Sequence, residues 1–178
     1  MTAPSERKAI YRAHGAWGKD GRFGLRAEGE IYGETGMLES PLVVSPDLGG
    51  PPLAAGQATG TNPEELLVAA ATSCLLITLG MALERLRIPA TALRAEGVGT
   101  VAPGAGGIFA FSEIAVTLEV TLGAAPAGEP GEEQLRAALR VAEERCLIAK
   151  AVHGNVRYVS RLIATSGDGT QREVSLES

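Results

Sequence analysis

"GTNPEELLVAAATSCLLITLGMALERLRIP", residues 60–89, decides the fold and raises the question of function. Asn62 suits an N-cap and Pro63 the first helical position, while Glu64 and Glu65 place carboxylates in a first turn whose dipole favours them. The helix is expected to run to about Arg87, because Pro89 pushes Ile88 out of helical conformation. Between Leu66 and Leu83 it carries 18 residues without a charge, the minimum for a transmembrane span. The run is rich in Ala, Thr, Ser and Gly and is bracketed by Glu64-Glu65 and Glu84-Arg85, which favours a helix wrapped by protein on nearly all sides. Cys74, one of two cysteines in the chain, lies in its middle.

The rest of the 178 residues reads as one domain, 1–178, with 1–6 and 166–178 as loose tails. A hydrophobic fraction of 45% with only 4% aromatics predicts a core of Ala, Leu, Val and Ile. The net charge of −5 and the lack of a basic tract argue against nucleic acid or anionic membrane as partner. The first residues, "MTAPSERKAIYRAH", contain no apolar signal-like region, so a cytoplasmic location is expected, where cysteine pairs serve catalysis or sensing rather than stapling.

Strands are expected at about 7–14, 22–28 and 30–38, followed by a Gly/Pro-rich loop, "SPDLGGPPLAAGQATGT", at 45–61. Beyond the long helix, strands are expected at about 91–101 and 108–122. In the second, Ile114, Val116, Leu118, Val120 and Leu122 share one face. A second helix at about 131–150 aligns Leu135, Leu139, Ala142 and Cys146 on one stripe, and a strand at about 155–164 follows Gly154. The fold class is α+β, with an antiparallel sheet covering two helices that each carry one inward cysteine.

Packed helices lie about 8–10 Å apart, so facing cysteines can approach bonding range. Two readings stand side by side. Cys74 and Cys146 are either buried small hydrophobes or a thiol peroxidase pair, in which one sulfur is oxidised to a sulfenic acid and the other condenses with it. The second reading needs a nearby cation, because Cys74 is too far along its helix for the N-terminal dipole and an apolar setting alone raises a thiol pKa. Glu64 is a candidate orienting carboxylate. Ten helical residues span about 15 Å, so Glu64 serves Cys74 only across a homodimer. His14 and His153 lack the paired spacing of a zinc site, and His153 fits a helix C-terminus; no metal or organic cofactor is expected.

"GTNPEELLVAAATSC" resembles the TNPE-x(9)-C signature of the OsmC/Ohr family, the osmotically inducible and organic hydroperoxide resistance proteins. "GKDGRFG", "SPDLGG" and "CLIAKAVHGNVRYVSRL" are similar, in the same order, to segments of the organic hydroperoxide resistance branch, so the resemblance covers about residues 8 to 163. It implies an OsmC-like fold, with antiparallel sheets wrapped around long central helices in an intertwined homodimer. It implies a peroxidase acting on organic hydroperoxides and reduced by an external dithiol of the lipoyl type. Cys74 matches the peroxidatic cysteine, Cys146 the resolving one and Glu64 the orienting glutamate. The family's activating arginine falls on Lys19, a point charge without the guanidinium fork, with Arg22 or Arg26 as substitutes. Leu147 stands where the family has Pro and Leu75 where it has an aromatic. The alternative implied by these departures is a weak peroxidase that binds small apolar molecules or senses redox state.

Overall fold

The computed structural model describes residues 9–17, 23–31, 34–37, 63–124 and 128–177. Residues 1–6, Lys19, Arg22, Asn62 and the loop 45–61, for which the sequence sets expectations, lie outside the described residues, as does the side chain of Arg26. The elements are β1 (Ala9–Trp17), β2 (Phe23–Ile31), β3 (Glu34–Met37), α1 (Pro63–Arg85), β4 (Ala90–Pro103), β5 (Phe109–Leu122), α2 (Glu132–Arg145), α3 (Leu147–Val152), β6 (Arg157–Thr165) and β7 (Gln171–Glu177). The strands form one sheet in the order β3-β2-β1-β4-β5-β6-β7. Its ladders are antiparallel with one exception, since β5 and β6 run parallel. The exception follows from the connection: α2 and α3 intervene between those strands, and a crossover through helices returns the chain in the same direction.

Helix α1 ends two residues before the expected Arg87. Ile88 N–H donates to the Leu83 carbonyl at 2.9 Å and Arg87 N–H to the Glu84 carbonyl at 3.0 Å, with Arg87 left-handed at φ 56°. This is a Schellman turn, and its purpose is visible in Ile88, which folds back into the core. Inside α1, Thr72 Oγ donates to the Val68 carbonyl and Thr78 Oγ to the Cys74 carbonyl, so these hydroxyls are satisfied without outside partners. Val68, Leu75, Leu76, Leu79 and Leu83 are fully buried or nearly so, each contributing about 1.5–3 kcal/mol.

The helix is not wrapped on all sides. Ile77 is 44% and Met81 52% exposed, so the described residues cover one side of α1 and leave a second apolar side uncovered. Its length and composition would suffice for a membrane span, yet it packs against α2, β1 and β4.

Small residues on β4 allow that packing. Ala95, Gly97 and Gly99 alternate on its helix-facing side. A Cβ on Gly97 would stand 1.9 Å from Thr72 Oγ, and one on Gly99 2.5 Å from a Val68 methyl. On β5, Ile114, Val116, Leu118, Val120 and Leu122 line the core as their alternation predicts.

Two corrections concern the C-terminal third. The single helix expected over 131–150 is broken at Cys146, whose backbone is extended at φ −72°, ψ 108°. A straight continuation would turn His153, seven residues on, toward the core. After the break Val152 is buried there, and His153 is an exposed cap at the end of α3. The tail expected to be loose from Ser166 instead forms β7. Asp168 and Gly169 close the turn, with Thr170 N–H donating to Asp168 Oδ1 at 2.8 Å and Gly169 at φ 88°. Val174 then faces the core, and Arg136 of α2 donates to the Ser175 carbonyl.

The tight approach of α1 to β4 predicts that Gly97→Ala is destabilising although alanine suits a strand better than glycine. Overpacking costs about 1–3 kcal/mol, equivalent to roughly 2–12 °C in Tm for a chain of this size. Thermal unfolding measures it; an unchanged Tm would contradict the close contact with Thr72.

Candidate functional site

Cys74 lies on α1 eleven residues after Pro63, on the side the sheet does not cover, and its side chain is partly exposed. Leu67, Ala70, Cys74, Ile77 and Met81 follow one another at spacings of three and four, and none is fully buried. The thiol therefore sits in the middle of an open apolar stripe.

Cys146 is fully buried. Its N–H donates to the carbonyls of Ala142 and Glu143, closing α2. Its Sγ accepts the Ala149 N–H at 3.4 Å, capping α3. The break in the helix thus fixes the thiol at a hinge between two elements, both packed against α1. There the two cysteines are neighbours: Cys74 is close enough to Cys146 to raise its thiol pKa, and both belong to the same packed core.

Three influences on Cys146 compete. Burial disfavours the thiolate, the Ala149 and Ile148 amides at the start of α3 favour it, and the neighbouring Cys74 disfavours it. Burial wins, and the pKa is pushed up to about 12 from an ordinary 9.0. Cys146 is therefore a neutral thiol near neutral pH.

Further polar groups surround the pair. Ser160 Oγ donates to Glu143 Oε1, while burial raises the Glu143 pKa against that hydrogen bond. Tyr158 is fully buried, and its pKa is raised first by burial and then by charges on Cys146, Glu143 and Cys74. Sequence reading passed over Tyr158, Ser160 and Glu143. The available signal was β6 itself, where the core-facing alternation Tyr158, Ser160, Leu162, Ala164 contains two polar residues.

The structure brings Cys74 and Cys146 together. It does not bring Glu64 to Cys74 of the same chain: α1 is continuous between them, and ten residues of helix separate them by about 15 Å. Glu64 sits in the first turn with its side chain partly exposed, and Glu65 beside it is buried. Lys19 and Arg22 are not among the described residues, so neither is placed relative to the thiols.

Comparisons with known proteins agree with this architecture. The family model described as OsmC-like protein matches residues 56–159. The Bacillus subtilis protein called uncharacterized protein YmaD is 30% identical over 123 residues, covering 69% of this chain and 77% of that one. An OsmC-like hydroperoxide resistance protein from Jannaschia sp. CCS1 superimposes with a TM-score of 0.59 at 15% identity, over 95% of this chain and 100% of that one. An OsmC-like protein of unknown function from Vibrio cholerae does so with a TM-score of 0.54 at 22% identity, over 89% of this chain and 99% of the other. Likeness at these identities speaks for the fold.

The buried thiol has a measurable consequence. The folded-state pKa of Cys146 lies above its ordinary value, so the unfolded chain ionises first as pH rises. The stability from keeping this thiol neutral is complete below about pH 9 and is lost as pH climbs toward about 12. In reduced protein, Cys146→Ala is expected to flatten the fall in Tm above pH 9. At pH 8, iodoacetamide is expected to label Cys74 and spare Cys146 until the chain unfolds; equal labelling of both in the folded state would refute the burial account.

Proposed function

The chain belongs to the OsmC-like protein family, and from that membership and its paired thiols we propose that it is a cysteine-based peroxidase reducing organic hydroperoxides. The observation that carries the reading is that Cys74 of α1 and Cys146 at the break between α2 and α3, 72 positions apart in the chain (146 − 74), are neighbours in one packed core. The hydroperoxide resistance name of the Jannaschia neighbour points the same way.

The cycle has two steps. The Cys74 thiolate attacks a peroxide oxygen; an S–O bond forms, the O–O bond breaks, and the departing alkoxide takes a proton to become an alcohol. Cys74 is left as a sulfenic acid. The Cys146 sulfur then attacks Cys74; an S–S bond forms, the S–O bond breaks, and the oxygen leaves as water with the proton from Cys146. An external dithiol, of lipoyl type, returns the disulfide to two thiols. The difference in exposure suits this order: partly exposed Cys74 meets substrate, while buried, neutral Cys146 meets only Cys74.

The apolar stripe of Leu67, Ala70, Ile77 and Met81 suits an alkyl chain at the Cys74 mouth and also favours a second copy of the chain over α1. In such a homodimer Glu64 of one protomer approaches Cys74 of its partner, which no single straight helix permits. Lys19 or Arg22 supplies the activating cation, and the protein works in the cytoplasm without metal or organic cofactor.

Reduced protein treated with one equivalent of cumene hydroperoxide is expected to lose two hydrogens per chain within seconds, read as denatured intact mass. Cys74→Ser should show no change, and Cys146→Ser should retain one oxygen. An unchanged mass in the unaltered protein would overturn the peroxidase reading. Separately, sedimentation is expected to give a dimer that Ile77→Glu converts largely to monomer; a monomeric unaltered protein would leave Glu64 without a route to Cys74.

A further inference from the structure

Tyr158, Ser160, Leu162 and Ala164 point from β6 into the core, and all four are fully buried. Two of them are polar, and only one is accounted for. Ser160 donates its hydroxyl hydrogen to the Glu143 carboxyl. The Tyr158 hydroxyl has no hydrogen-bond partner among the described residues, although the side chain is wholly removed from solvent.

A buried hydroxyl left unpaired is unfavourable, and phenylalanine would fill the same space without that cost. The phenol also has a particular location. It belongs to the same buried core cluster as Cys146, against which Cys74 packs, and charges on Cys146, Glu143 and Cys74 act on it. These influences and its burial hold it in the protonated form, so near neutral pH it is a fixed O–H donor that lacks an acceptor.

The resting thiols explain the vacancy, because a thiol sulfur is a weak acceptor. The proposed cycle creates a better one. Oxidation places an oxygen on Cys74, and that oxygen gains negative charge as its bond to sulfur breaks. Hydrogen bonds to such developing charge are worth most where water is excluded.

We propose that Tyr158 is the hydrogen-bond donor of the resolving step, its phenol O–H donating to the sulfenic oxygen of Cys74 as Cys146 attacks. The inference rests on the peroxidase reading above. The balance is unchanged: the S–S bond forms, the S–O bond breaks, and the oxygen leaves as water with the Cys146 proton. Tyr158 keeps its own proton and is neither oxidised nor reduced.

Tyr158→Phe tests this, since it removes one oxygen atom and keeps the ring. After one equivalent of cumene hydroperoxide, quenched samples are followed by intact mass. The variant is expected to accumulate the form carrying one extra oxygen and to close the disulfide at least about tenfold more slowly, with a Tm equal to or above that of the unaltered protein. Disulfide closure at the unaltered rate would overturn the assignment, and so would slow closure accompanied by a lowered Tm, which marks a packing defect. A second measurement does not depend on the rate. In Cys146→Ser, which holds the sulfenic state, peroxide addition is expected to shift the tyrosine ultraviolet difference spectrum, and the shift should vanish when Tyr158→Phe is added. No shift, or one that survives the added substitution, would also overturn it. If the unaltered protein neither loses hydrogens nor gains oxygen, the peroxidase reading fails and this proposal falls with it.

Discussion

The core formed by the described residues is arranged around the need to cover α1. A 23-residue helix with charges only at its ends cannot stand in water. One side is met by β1 and β4, where Ala95, Gly97 and Gly99 let the helix backbone sit low on the sheet. Another is met by α2 and α3. What the described residues leave uncovered is the stripe containing Cys74, Ile77 and Met81. Cys74 therefore lies where the described residues leave the helix without cover, and in the proposed function one surface serves substrate entry and association.

The two thiols differ because their surroundings differ. Cys146 caps α3, an environment that by itself favours a thiolate, yet burial outweighs those few amides. The result is a sulfur held in place by backbone geometry but kept neutral. Cys74 is partly open to solvent. Chemistry that needs one accessible nucleophile and one protected partner fits this asymmetry, which burial creates, while the break at Cys146 holds the sulfur in place through the Ala149 amide.

Much of the fold was legible from the chain because its periodicities are strong. The alternation of β5, the uncharged run of α1 and the stripe Leu135, Leu139, Ala142, Cys146 all correspond to buried faces. β7 was overlooked although its signal was local. "SGDGT" supplies a turn, and "REVSL" places Val174 and Leu176 two apart, but a single deeply buried residue on a polar strand is a faint pattern. The break at Cys146 gave no such signal, since neither Gly nor Pro marks it. It arises from packing, which prefers Val152 to His153 in the core.

The sequence by itself determined which residues are candidates for the chemistry and which faces turn inward, because side-chain identity and spacing mark both. It determined the helix start at Pro63, the inward stripe of α2 and the family signature joining Glu64 to Cys74. Only the tertiary structure decided that Cys74 and Cys146 share one packed core, that β5 and β6 run parallel, and that the Tyr158 hydroxyl in that core has no partner among the described residues. Such relations depend on how segments far apart in the chain pack to exclude water, and no local pattern encodes that distance.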